Sequence, residues 1–459
     1  METVPGIITN HNRLLRRTLY HPPIYAPHDF YYYAQSATTT IAAYHNRHRP
    51  IILPDYNPSH FNVDNIFDKF KRRLQPWTFE QYISSMDSPR KRKFYQDAYT
   101  SILQGRKTSS GITPFTKLEK MSTSKYKAPR LIQGRHPTFN LCYGRYIKPL
   151  ERSLKGDRHF GKGTYDDIGR KIHKLSRKYK YYTEGDHTTF DSHVTVEMLR
   201  LCHRFYLRCY KQSPELLKLC KKTIRNRAVA RNGEKYTVRG TRMSGDVDTG
   251  FGNSIINYYI IRHALKRLHI DGDAIVNGDD FIIFTNIKIS TAEFTNLLRE
   301  YNMETTLGNS VDSIHQVEFC RCRLVYHPDG HPTMAFDPHR LEKIYGCSNI
   351  LYPKKKKYED YLKTIQHANH MINLNSPIHN DWQLLIDDDT ALKLMTPQLK
   401  RIYHKQHSNR VYTWDYLTPS FIQAYPNYKT RKKPFPLART IPQQRQLLIN
   451  HNTRELITL

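Results

Sequence analysis

Apolar positions along this chain change period repeatedly, and the sharpest patterns fall between residues 178 and 285. "YKYYTEGDHTTFDSHVT" reads as a strand ending near Asp186, then a turn, then a helix from about Thr195. Leu199, Cys202, Phe205, Tyr206 and Cys209 recur at helical spacing and predict an apolar helix face. A second helix is predicted over 249–268, opened by small residues and closed by basic ones, which suits the helix dipole. "AIVNGDDFIIF", 274–284, places Asn277-Gly278 between two apolar runs, a strong hairpin signal. Elsewhere the patterns are weaker. Residues 1–60 have poor periodicity and read as an extended arm or a wrapping segment. Helical stretches are expected within 61–110 and again after 335, before a basic, Pro-rich tail.

Charge narrows the partner. Lys and Arg number 72 against 41 acids, a formal +31 spread along the chain, which argues for a polyanion and for nucleic acid over an anionic membrane. No apolar run approaches the ~20 residues of a spanning helix, and the first residues lack a signal-peptide core. Met1 is read as a natural start. Seven cysteines in 459 residues are no disulfide framework and imply a reducing, cytoplasmic setting. Neither a paired C-x2-C nor a paired H-x3-H spacing accompanies them, so structural zinc is not expected and the thiols read as buried apolar groups.

The acids carry the chemistry. Asp186 ends one predicted strand, Asp191 follows five residues later, and the hairpin adds Asp279 and Asp280. Strands that end side by side in aspartates would hold two divalent ions about 4 Å apart, the arrangement for in-line phosphoryl transfer. Hard oxygen ligands suit Mg²⁺ or Mn²⁺. Alone, Asp279-Asp280 reads as an ordinary polar turn. A third element, "RGTRMSGDVDTGFGNSIIN", joins a glycine-bearing loop to a helix on which Thr249 and Asn253 share a face. Such a loop lets backbone approach a nucleic-acid strand, and the Thr and Asn would reach a sugar hydroxyl. Alone, it reads as a capped helix start with a small packing face.

In this order the three elements resemble motifs A, B and C of viral RNA-dependent RNA polymerases: Asp186 and Asp191 match D-x4/5-D, Ser244, Gly245, Thr249 and Asn253 match S-G-x3-T-x3-N, and Gly278, Asp279 and Asp280 match G-D-D. Phe115 to Glu151 resembles motif F and its continuation in the tombusvirus-like group, with Lys117, Lys120, Lys127, Arg130 and Arg135 as cations. The group's Q-P-R is Gln133-Gly134-Arg135 here, a departure. "VEFCRCRLVY", 317–326, resembles the strand pair of motif E.

The resemblance implies an α+β fold, a right hand whose antiparallel palm sheet packs on helices. Residues 1–84 would be an N-terminal extension and outer fingers, 85–177 fingers with motif F, 178–345 palm with a fingers insertion near 211–240, and 346–459 thumb and basic tail. It implies an RNA-directed RNA polymerase that replicates a viral RNA genome. Asp186 and Asp279 would ligate both metal ions, with Asp280 a supporting ligand or hydrogen-bond partner. Asp191 and Asn253, with Ser244 or Thr249, would recognise the ribose 2′-hydroxyl, and Arg130, helped by Lys117 and Lys127, the NTP triphosphate. Motif D usually supplies a lysine as general acid, but 292–320 holds none, and Arg299, His315 and Lys288 are substitutes to which no role is given. RNA template, nascent RNA and NTPs are the expected partners, with other viral replication proteins and, through a partner, host membranes in cytoplasmic replication complexes.

Three rivals fall short. "GDRHFGK", 156–162, lacks both the following Ser or Thr and the preceding strand of a Walker A loop. A reverse transcriptase usually has an aromatic gate where Asp191 stands and a residue other than Gly278 before the acid pair. A basic RNA-binding or coat protein gives no reason for the ordered acids.

Overall fold

In the computed structural model the described residues are 19–21, 30–33, 35–63, 65–122, 127–348, 354–406, 410, 412–433, 435, 437, 443–445, 447–450 and 455–458. The chain is mixed helix and sheet, and the sheet that matters most has four antiparallel strands. They run Thr305–Leu307, Tyr181–His187, Asp280–Thr285, Gly272–Asn277 across the sheet. Ala274, Val276, Phe281 and Ile283 face a core built largely on helix Thr249–Arg267, while Ile275, Ile282 and Phe284 face a second core with Ile168 and Ile172 of helix Tyr165–Ser176. Burial on both faces is why these strands read as continuous apolar runs rather than alternating ones.

The predicted elements at 181–187, 195–210 and 249–268 form close to where they were expected. Thr195 caps helix Val196–Cys209 by accepting from Met198 N, and the five residues of its predicted apolar face are all buried. All seven cysteines are free thiols. The hairpin turns over the four residues 277–280, as expected. Asn277 pairs with Asp280 in the ladder, so the two central turn residues are Gly278, at φ +62°, and Asp279. Asp279 therefore stands at the apex of the turn.

A second sheet orders Leu131–Arg135, Ile112–Thr116, Arg225–Val229 and Lys235–Arg239, joined by one parallel contact between Ile112 and Ala228. It unites segments about a hundred residues apart in sequence. A third sheet contains Glu318–Phe319, Cys322–Tyr326 and Pro332–Phe336, with Cys320 and Arg321 both at positive φ in the first turn, so the strand pair expected at 317–326 is present and gains a third strand. Beyond it lie mainly helices, the longest Lys355–Ile372.

The N-terminal arm departs from its expected extended form. Residues Ala37–Ala43 form a helix capped by Ser36 and continue as a π turn over Tyr44–His48. "ATTTIAA" hides this because its small and β-branched residues give no apolar stripe, although Ala37, Thr39, Thr40, Ala42 and Ala43 are buried. The following stretch does wrap. Ile51 N donates to Ser192 O, and Leu53 N to Asn302 Oδ1. Residues 1–18 lie outside the described residues. No helix among the described residues is long and apolar enough to cross a membrane.

Helix Tyr165–Ser176 approaches the third sheet through Gly169, where an added Cβ would sit 2.6 Å from Thr333 Cα and 2.8 Å from its N. Backbone cannot give way as a side-chain tip can. Gly169→Ala is therefore expected to cost about 1–3 kcal/mol, read as a lowered Tm; an unchanged Tm would show that this contact is looser than drawn.

Candidate active site

Two strand ends bring the acids together. Gly185 pairs with Phe281, which sets Asp186 level with Asp280 on the neighbouring strand, one residue from Asp279 at the apex. Asp186 and Asp279 are exposed to the cleft and Asp280 is half-buried. Their negative charges oppose one another more than the nearby Lys127 and Arg321 offset them. Burial, then Asp279, raises the Asp186 carboxyl above its ordinary value. Burial, then Asp279 and Asp186, pushes Asp280 up to about 6. Convergent hard oxygens whose charges oppose one another are a donor set that a divalent cation fits.

The turn is held from beneath by helix Thr249–Arg267. Ser254 Oγ accepts from Gly278 N at 2.8 Å while donating to Gly250 O. Asn257 Nδ2 donates to Gly278 O at 3.0 Å, and Asn257 Oδ1 meets His187 Nε2 at 2.9 Å, beside Asp186. Burial keeps His187 near pKa 4, hence neutral. One amide thus ties the two acid-bearing strand ends together. Neither Ser254 nor Asn257 was singled out from sequence, because the helix pattern alone does not show which strand end lies above it.

Asp191 follows a left-handed residue, Thr189, at φ +41°. Its Oδ1 accepts from Asn253 Nδ2 at 2.8 Å. Arg242, 2% exposed, fixes that amide. Its Nε donates to Asn253 Oδ1 at 3.0 Å, which turns the Asn253 NH₂ toward Asp191. Arg242 Nη1 in turn donates to Asp248 Oδ2 at 2.9 Å, where Tyr206 and Tyr143 hydroxyls also converge. The structure therefore joins Asp191 with Asn253, as expected, and adds Arg242 and Asp248 as an unforeseen support.

A profile for viral RNA dependent RNA polymerase matches residues 44–433. The chain belongs to this family. It is 34% identical over 334 residues to the RNA-directed RNA polymerase of Groundnut rosette virus (strain MC1), covering 68% of this chain and 38% of that protein. It is 29% identical over 338 residues to that of Tobacco necrosis virus (strain A), covering 69% and 46%. With Carnation mottle virus the figures are 29% over 296 residues, 60% and 38%. These relatives bear out the tombusvirus-like grouping. The chain spans less than half the length of each of these relatives.

In this member of the family the two loop hydroxyls expected at the ribose are bonded within the protein. Ser244 Oγ donates to Leu131 O at 2.7 Å and accepts from Gln133 N, and Thr249 Oγ1 donates to Met243 O at 2.7 Å. Each hydroxyl has given its proton to a carbonyl, so toward a ribose only lone pairs remain. Gly245 lets this loop touch the second sheet, since a Cβ there would lie 2.7 Å from Gln133 O.

The motif F cations divide. Arg130 and Lys117 flank Glu119, Arg130 through a bidentate pair and Lys117 at 3.7 Å. Burial would raise Glu119, but Arg130 and then Lys117 hold it below the usual carboxylate range. Lys127 is exposed and its charge acts on Asp186. Two expected cations are employed elsewhere. Arg135 is buried, 2.5 Å from Asp246 and 2.7 Å from Asn226, and Lys120 donates to Cys347 O. Two cations outside motif F join the site. Arg47, from the N-terminal arm, donates to Ala128 O, and the charges of Arg130, Asp191 and Asp279 act on it. Arg321, in the first turn of the third sheet, is close enough to Asp280 and Arg130 to feel both. Proximity in three dimensions was the only signal that could find them.

The motif D substitutes all lie away from the acids. Arg299 pairs with Asp55, His315 meets Leu324 O, and Lys288 sits over Tyr181 at the far end of its strand. The Walker-like segment follows a helix, Pro137–Ser153, and 159–161 instead runs beside Gly272–Asn277.

Burial is the first cause lifting Asp191 from its ordinary 3.8 to about 6, against the Asn253 hydrogen bond. Folding therefore favours its neutral form. Stability falls as pH rises from 3.8 through about 6, and the penalty is complete above that. Asp191→Asn keeps the acceptor for Asn253 without the charge. It is expected to gain roughly 1–3 kcal/mol at pH 7.5, the lower end reflecting the cleft-facing position, and nothing at pH 4. Thermal melts of both proteins across that range check it; a pH-independent gain would contradict the assignment.

Proposed function

We propose that this chain is an RNA-directed RNA polymerase that replicates a viral RNA genome by attack of a nascent 3′-hydroxyl on the α-phosphate of an NTP. The observation that carries this reading is the meeting of Asp186 with Asp279 and Asp280 at adjacent strand ends, beside the Asp191–Asn253 pair. Asp186, Asp279 and Asp280 would hold two Mg²⁺ or Mn²⁺ ions, which when bound supply charge neutralisation at the phosphoryl group. Asp191 and the oriented Asn253 amide would hydrogen-bond the ribose 2′-hydroxyl, the group that separates RNA from DNA precursors. Arg130, Lys117 and Lys127, with Arg47 and Arg321 nearby, would bind and orient the triphosphate and leave with pyrophosphate a neutralised exit.

The right-hand division is inferred likewise. Residues 178–345 would be palm, 346–459 thumb, and 1–84, 85–177 and the 211–240 insertion fingers. Its support is the second sheet, which joins strands at 112–135 to strands at 225–239. RNA and NTPs would be the partners, with salt-dependent template binding expected from the +31 charge. Placement in cytoplasmic, membrane-associated complexes would come through other viral proteins.

Incorporation of NMPs on an RNA template with Mg²⁺ or Mn²⁺ tests the reading. Asp279→Ala should lower the rate by about a thousandfold or more, the scale of several kcal/mol of lost charge stabilisation. Asn253→Ala should narrow the preference for rNTPs over dNTPs by roughly tenfold. An Asp279→Ala protein as active as wild type would sink the polymerase assignment, and an unchanged sugar preference in Asn253→Ala would sink the ribose role alone.

A further inference from the structure

The Walker-like segment, which the polymerase reading leaves unused, is pinned into a basic loop over residues 155–163. Lys171, 8% exposed on helix Tyr165–Ser176, donates from Nζ to three carbonyls of that loop, Lys155 O at 2.6 Å, Phe160 O at 2.8 Å and Lys162 O at 2.9 Å. Amides of the loop are spent within the protein as well. His159 N donates to Asp157 Oδ1, Phe160 N to Asp157 O, Gly161 N to Val276 O and Lys162 N to Phe160 O. These four N–H groups therefore cannot cradle the phosphates of a nucleotide as those of a P-loop do. What the loop offers outward is side-chain charge, since Lys155 and Arg158 are exposed and Lys162 is half-buried.

Lys155 and Lys162 line a groove of about 440 Å³ whose other walls are helix Pro89–Leu103, the end of helix Pro137–Ser153 and helix Pro397–Gln406. Lys91, Lys148, Arg152 and Lys405 add cations to it. The acids on its walls already have partners. Asp87 pairs with Lys91 at 3.0 Å and with Arg401 at 2.7 Å, and Glu151 with Lys148 at 3.8 Å. Among the described residues, no acid pairs with Lys155, Lys162 or Lys405. Their charges oppose one another. Desolvation in the groove, then Lys162 and Lys155, holds the Lys405 ammonium below its ordinary value. No aromatic ring is among the described lining residues, so the groove gives a base nothing to stack on.

The groove begins beside the acid cleft. The bond from Gly161 N to Val276 O lays the loop along the strand that leads into Gly278 and Asp279. Val276 precedes Asp279 by roughly 10 Å at strand spacing. Lys162 Nζ lies 3.7 Å from the place a Cβ would take on Gly250, at the start of the helix that grips the acid turn. Cys320, in the first turn of the third sheet, feels the charges of both Asp280 and Lys162. Unpaired cations that start beside the acids and continue to Lys405 have the chemistry of a polyanion's path. We propose that Lys155, Lys162 and Lys405 form an RNA-backbone clamp, which holds by its phosphates, whatever the bases, a stretch of the strand engaged at the acids. The identity of the polyanion rests on the polymerase reading. Ammonium groups on flexible stems act as point charges, so they let a backbone advance by one nucleotide where a planar guanidinium fork would fix one geometry.

The test measures binding of a labelled single-stranded RNA and of a primer–template duplex to the full chain across a salt series. Lys155→Gln, Lys162→Gln and Lys405→Gln combined should weaken binding by about tenfold or more at low salt. They should also flatten the slope of log K against log salt by about 2, at ~0.7 per lost phosphate contact. The same charge removed at Lys218, Lys221 and Lys222, exposed on and just after helix Pro214–Lys221, should leave the slope nearly unchanged. Loss on the duplex alone assigns the clamp to the nascent strand, and loss on both RNAs assigns it to the template. A second readout uses the unaltered chain, in which RNA, and not NTP alone, should protect these three lysines from acetylation. An unaltered slope in the groove variant, an equal loss in both triple variants, acetylation that ignores RNA, or protection by NTP alone would each overturn the proposal. A chain that binds RNA through the groove and incorporates no NMP would instead overturn the polymerase reading and leave the clamp standing.

Discussion

Mutual repulsion among carboxylates is the constraint around which this molecule is organised. Asp186, Asp279 and Asp280 are brought to one strand-end edge although each raises the free energy of charging another. Nothing local to those residues would hold them there. The cost is met by the four-stranded sheet, apolar on both faces, and by a helix whose side chains grip the turn from below. Ser254 and Asn257 bond the backbone of the turn rather than the acids, so the carboxylate oxygens stay available toward the cleft.

A second buried charge system supports the first. Arg242 and Asp248 are both almost fully enclosed, and burial of such a pair pays little unless its hydrogen bonds are complete. Here they serve specificity. Arg242 orients the Asn253 amide, and Asn253 orients Asp191. Two segments about fifty residues apart in sequence, 189–193 and 242–253, become one wall of the cleft. The cations around Glu119 are held less tightly, in exposed or half-buried positions.

Much of the site could be read along the chain because its residues occupy strand ends, turns and helix starts that have local signatures. The acid at the end of Tyr181–His187, the glycine before Asp279 and the Thr249–Asn253 spacing are all short-range patterns. The four-residue turn was legible too, but Asn-Gly and Gly-Asp are both acceptable turn centres, and only the ladder pairing of Asn277 with Asp280 decides between them. Arg135 and Lys120 looked like their neighbours in a basic stretch. Their burial against Asp246 and Cys347 depends on residues more than a hundred positions away.

By itself the sequence determined the family, the α+β character and the identity of the acids, since spacing within a strand, turn or helix is a property of consecutive residues. The tertiary structure alone decided which cations face those acids. Arg47 and Arg321 lie on opposite sides of the chain's length, and no periodicity connects them to Asp280 or Asp191. It alone also set His331 against Asp166, because a charge acts through space and takes no account of the order of residues along the backbone.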